Sequence, residues 1–161
     1  MLNNRGFTLI EAIAALVIGA ILLSVAGMGI VKVAEGLVFT QKNASTTLKA
    51  QVALNRIEKE FHIITGVSSG DETSLAYTSS KGGVSGSYTL TYSDSDGAIL
   101  VDGDILVDNV ASFALAYRDT YNGTATPTWS STNKVIDVTF ALTGAGGVNS
   151  TFTMRVAPRT L

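Results

Sequence analysis

The chain has 161 residues, a formal charge of −2 at pH 7, no cysteine and a single histidine. The absence of cysteine excludes a disulfide staple and thiolate chemistry, and nothing resembles the basic run with interleaved aromatics that would point to a nucleic-acid partner. Its length leaves room for one modest domain beside any membrane segment.

At the N-terminus, Met1 to Gly6 form a short leader whose only charged side chain is Arg5. Phe7-Thr8-Leu9-Ile10-Glu11 follows, and residues 12–31 then carry no charge and only one hydroxyl, that of Ser24. Roughly 20 mainly apolar residues cross a bilayer as a helix, so residues 7–31 are predicted to span a membrane. A secretory signal peptide would end its apolar stretch at a small-residue cleavage site. Here the leader comes first, and a cut after Gly6 leaves the hydrophobic helix on the mature chain. Glu11 is the anomaly, a carboxylate inside the apolar segment near its start.

Gly6-Phe7-Thr8-Leu9-Ile10-Glu11 resembles the processing motif of type IV pilins and of the pseudopilins of type II secretion. The resemblance implies that prepilin peptidase removes residues 1–6 by cutting between Gly6 and Phe7, and that the same enzyme N-methylates Phe7. It also implies that Glu11 serves assembly by pairing with the Phe7 amine of a neighbouring pilin-like subunit. Gly6 and Phe7 are then substrate positions, not catalytic ones. The expected partners are other pilin-like subunits, the peptidase/methyltransferase and inner-membrane lipid. Arg5 before the helix favours a cytoplasmic N-terminus and a body outside, in the periplasm. Without the leader motif, Glu11 reads as a first-turn carboxylate favoured by the helix dipole by about 0.3–1 kcal/mol.

Past residue 31 the helical pattern continues. Leu54, Ile57, Phe61 and Ile64 recur at spacings of three and four, with Asn55, Arg56, Glu58, Lys59 and His62 on the other sides, so residues 32–65 are predicted to prolong the helix as an amphipathic segment. Gly27 and Gly29 around Met28 are a weak point in it, and Gly66 is expected to close it. Pilin-like proteins often carry a proline near Met28.

From residue 66 to 161 the period changes to two, with turn residues between runs. Strands are predicted over 75–78, 87–92, 98–101 and 105–107. Residues 79–86 are expected to form a glycine- and serine-rich loop, and Asp96-Gly97 and Asp102-Gly103 hairpin turns. Later strands alternate Phe113, Leu115 and Tyr117; Ile136, Val138, Phe140 and Leu142 against Asp137 and Thr139; and Phe152, Met154 and Val156. Each is expected to have one wet and one dry face, giving an α+β fold: a long N-terminal helix packed under an antiparallel sheet. The run from Leu106 to Phe113, then Tyr117-Arg118-Asp119, and a late strand pair ending in Arg155 and Arg159 are similar to minor pseudopilins of the J type and related minor pilins. Met28 and the lack of cysteine favour a minor component.

Other patterns carry less. Asp94, Asp96, Asp102 and Asp104 suggest a calcium loop, but Tyr92 and Gly103 occupy required ligand positions of the EF-hand spacing. His62 is read as a solvated or packed side chain. Asn43-Ala44-Ser45, Asn122-Gly123-Thr124 and Asn149-Ser150-Thr151 fit the glycosylation pattern, and Tyr121 and Trp129 could form a binding surface. No nucleophile–base pair, metal cluster or phosphate loop stands out, so neither enzyme nor cofactor is expected. The alternative to a structural subunit is a singly anchored binding module or adhesin whose β-domain recognises a ligand.

Overall fold

The computed structural model describes residues 8–160. Its first element, α1 (Leu9–His62), is a 54-residue helix with Glu11 in its first turn and Lys59 and His62 in its last, the charge polarity that a helix dipole favours. Two compact units divide the chain, the first ending at Gln41 and the second running from Lys42 to the C-terminus.

In the first unit the helix buries nothing of its apolar surface. Leu9, Leu16, Leu23, Ile30 and Leu37 are all exposed, and the helix is long and apolar enough to cross a membrane. It continues through Gly27-Met28-Gly29 without interruption.

In the second unit the periodic face of α1 is buried. Ala50, Ala53, Ile57 and Phe61 enter the core, and Leu54 packs at its margin. Two of these contacts are alanines, which sequence reasoning passed over; their small side chains let the helix backbone approach the sheets. The helix stops at His62, and Ile64 begins β1 (Ile64–Gly70). Gly66 is therefore a strand residue paired with Thr78, not a helix cap. The β-branched run Ile63-Ile64-Thr65 favours extended backbone, and Ile64 is fully buried there.

The remaining strands are β2 (Ser74–Lys81), β3 (Val84–Ser93), β4 (Ala98–Val101), β5 (Asp104–Val107), β6 (Val110–Arg118), β7 (Val135–Thr143) and β8 (Asn149–Val156), with a short 3-10 turn, Ala145–Gly147, before the last. They form two antiparallel sheets, a five-stranded one in the order β1-β2-β3-β4-β5 and a three-stranded one in the order β6-β7-β8. Residues 79–86, expected as a loop, are hairpin arms: Ser79 pairs with Gly86 and Lys81 with Val84. The two-residue turn between them is Gly82-Gly83, at φ 61° and 86°. Two positive φ values in succession are what a type I′ hairpin turn needs, and glycine adopts both without strain. Asp102-Gly103 turns likewise, at φ 54° and 88°.

The sheets share one core. Leu75, Tyr77, Leu90 and Ile99 from the first sheet meet Phe113, Leu115, Tyr117, Val138 and Phe140 from the second around Ile57 and Phe61. Val110 N–H donates to the Gly97 carbonyl at 2.8 Å, joining the sheets. β7 departs from the expected wet-and-dry alternation. It is buried on both faces over most of its length, Asp137 included; on its second face Arg118 of β6 and Arg155 of β8 lie against Asp137.

Candidate assembly site and its surroundings

Glu11 lies in the first turn of α1, where its own N–H and that of Ala12 donate to the Thr8 carbonyl at 3.1 and 3.2 Å. Its carboxylate is exposed, flanked by Leu9, Ile10 and Ile13, themselves exposed. It is the only charge from Leu9 to Val31, and among the described residues no cation or hydrogen-bond donor reaches it. Among the described residues the site thus presents a carboxylate without a partner on a bare apolar helix. Arg5, Gly6 and Phe7 lie outside the described residues.

Residues 1–27 match the prokaryotic N-terminal methylation motif. The matched segment spans Gly6, Phe7 and Glu11 together with most of the apolar run. The motif supports a type IV pilin-like protein that is processed by prepilin peptidase, assembles with other pilin subunits and is anchored to a membrane through its N-terminal helix. No curated protein matches the chain.

The second unit holds one strongly tied polar cluster, which the sequence did not reveal. Asp137 on β7 accepts from Arg118 Nε at 2.7 Å and from Arg155 Nε at 2.6 Å and Nη2 at 3.0 Å. Each arginine also reaches into the loop after β6. Arg118 donates to the Gly123 carbonyl; Arg155 donates to the Tyr121 carbonyl at 2.8 Å and stacks over its ring at 5.0 Å. Burial pushes the Asp137 carboxyl up, but the Arg155 and Arg118 bonds outweigh it and hold the group below the usual carboxylate range. Asp119 ties the far end of the loop, accepting from Thr132 Oγ1 at 2.8 Å and Asn133 Nδ2 at 2.7 Å. Arg118, Asp137 and Arg155 are far apart in sequence, and only the strand register makes them neighbours.

The other sequence candidates fall into place separately. Trp129 meets the ring of Tyr117 edge-on at 5.5 Å and borders the core, so it does not form an exposed pair with Tyr121. His62 Nε2 lies 3.6 Å from Glu58 on the same helix face. The acidic turns use their carboxylates locally: Asp96 accepts from Ser93 at 2.6 Å and Asp102 from Thr89 N–H at 2.7 Å. Among the described residues no group of three or more metal-ligating side chains occurs. Asn43 is helical, and its Oδ1 accepts the Ala145 N–H at 3.0 Å, whereas Asn122 is exposed in the loop after β6.

Proposed function

We infer that this chain is a structural subunit of a filament built from pilin-like proteins: a minor pseudopilin of type II secretion, of the J type, or a related minor pilin, placed at or near the tip. The observation that carries the reading is Glu11, a carboxylate on an apolar helix with no partner among the described residues, within the matched methylation motif.

In this reading residues 1–6 are removed, residues 7–31 form the membrane and assembly segment, and the rest of α1 with the β-rich unit forms the head. Gly6 sits at the scissile bond because a residue without Cβ leaves the backbone open to a peptidase at the membrane surface. Cleavage frees the Phe7 amine, which is then methylated and keeps its charge. A charged side chain within lipid costs about 2.5–3.5 kcal/mol on insertion scales. Pairing Glu11 with the Phe7 amine of the next subunit removes both charges from lipid together and fixes the axial register between subunits. The chain sits in a bacterial inner membrane, N-terminus cytoplasmic and head periplasmic, until it is drawn into the filament.

Two substitutions separate the steps. A bulky residue at Gly6 should leave the leader attached, seen as an unshifted intact mass. Glu11→Ala should be processed normally yet be lost from filaments. Normal incorporation of Glu11→Ala would overturn the assembly role.

A second reading, a membrane-anchored binding module, draws support from a groove of about 470 Å³ between α1 and β5, lined by Leu48, Val52 and Ile105, all three exposed. Co-purification from membranes discriminates: pilin-like subunits should accompany a filament component, and a ligand held without them would favour the module.

A further inference from the structure

Three of the exposed apolar side chains of the second unit come together along one flank of α1. Leu48, Val52 and Ile105 are 62%, 66% and 65% exposed, and they line the groove between α1 and β5. Further depressions continue it at both ends, toward Lys42 and Gly144 one way and toward Arg56 and Asp104 the other. From Lys42 to Arg56 the helix rises about 20 Å at 1.5 Å per residue, so the trough is as long as a helix–helix contact. Two cations beside the apolar residues are already engaged, Lys49 by Asp108 at 2.6 Å and Arg56 by Glu60 at 3.1 Å.

The helix has the spacing of a helix-to-helix seam on this side. Ser45, Leu48, Val52 and Asn55 are all exposed and recur at intervals of three and four. They lie opposite the face of Ala50, Ala53, Ile57 and Phe61 that enters the core. The same spacing continues toward the N-terminus through Gln41, Val38, Ala34 and Val31 without a charge, and it ends before Lys59, the next residue in the series. Such a stripe drifts only about 20° per heptad, too little over one and a half heptads to turn it away from a partner. A strand, with its period of two, cannot follow a stripe of this period, whereas a second helix can.

We propose that α1 of a second copy of this chain fills the trough, the two helices lying parallel and in register about a two-fold axis that runs along them. Leu48 then faces Leu48 and Val52 faces Val52, with Ser45 and Asn55 at the ends of the seam. Each copy's Ile105 is covered by the other's helix, since a two-fold pair makes every contact twice. In a parallel pair the flank bearing Lys49 and Arg56 lies against Ala44 and Gln51 of the second copy, so no like charges meet along the helices. A shift of one helical turn would instead set Arg56 against Val52. Parallel helices leave the pair with both N-terminal spans at the same end, so both enter one membrane. Confinement there raises the effective concentration of the copies. The pairing needs membrane anchorage alone and does not depend on entry into a filament.

Single cysteines test the register in a chain that has none of its own. Full-length Ser45→Cys, Val52→Cys and Thr47→Cys are each reconstituted in phosphatidylethanolamine/phosphatidylglycerol vesicles and oxidised with copper phenanthroline. Thr47 is exposed as well, but it lies on the side of the helix turned from the seam. A disulfide needs facing Cβ atoms about 3.5–4.5 Å apart, so the two seam positions should form covalent dimer several-fold faster than Thr47→Cys. Ile105→Arg, added to Ser45→Cys, should lower the yield several-fold by placing a charge in the trough. Val84→Arg, at a side chain 72% exposed on β3, should leave it unchanged. Near-UV circular dichroism confirms that each variant is folded. Equal rates at the three positions, or no response to Ile105→Arg, would overturn the pairing. So would a mass-tagged Leu48→Cys/Val52→Cys mixture whose mixed dimer exceeds both self-dimers, since that is a shifted register, or a photo-reactive residue at Leu48 that captures only a different protein in native membranes.

Discussion

At the scale of the residue, Asp137 and Gly70 show how position decides what a side chain is worth. Removing one member of a buried ion pair strands the other charge, at about 3–5 kcal/mol when fully buried. Arg118 and Arg155 keep part of their surface in water, so Asp137→Ala should cost less, about 2 kcal/mol, measured by denaturant melts of the chain in micelles. Because the folded state lowers the Asp137 pKa, this stabilisation is present above the unfolded carboxylate value of about 3.9 and is lost as pH falls through the lower folded value. Wild type should therefore lose more stability than Asp137→Asn between pH 5 and pH 2. Gly70 is constrained by space. A Cβ there would lie 2.6 Å from Tyr117 Oη and 2.9 Å from its Cζ, while that hydroxyl is held on the Asp71 carbonyl at 2.8 Å. The ring is fully buried, so Gly70→Ala should destabilise by about 1–3 kcal/mol, read by the same melts.

At the scale of the element, α1 is one continuous helix whose two parts face different surroundings. Nothing lies within 4 Å of where a Cβ would be added at Gly27 or Gly29. Alanine at either should strengthen the helix by about 1 kcal/mol through backbone entropy, visible as slower amide exchange across residues 24–32. Should the segment melt during assembly, the double substitution should reduce filament incorporation while leaving membrane insertion unchanged. The hairpins teach a complementary lesson. Asp102-Gly103 was legible as a turn because Asp-Gly interrupts two apolar runs. Gly82-Gly83 was hidden among serines and glycines, where the loop composition outweighed the paired glycines at the tip.

At the scale of the whole molecule, an apolar helical segment with no buried surface and a head with its own core belong in two different solvents. Full-length chain should stay in the membrane pellet on alkaline extraction, whereas a chain lacking residues 1–31 should move to the supernatant; release of the full-length chain would contradict membrane anchoring. The N-terminal motif, the apolar span, the anomalous Glu11 and most strand positions could be read from the sequence, because each depends on local composition or a short period. The division into two sheets, the burial of β7 on both faces and the Arg118-Asp137-Arg155 cluster could not. They arise from strand pairing between residues distant in the chain, which no local pattern encodes, and the tertiary structure alone decided them.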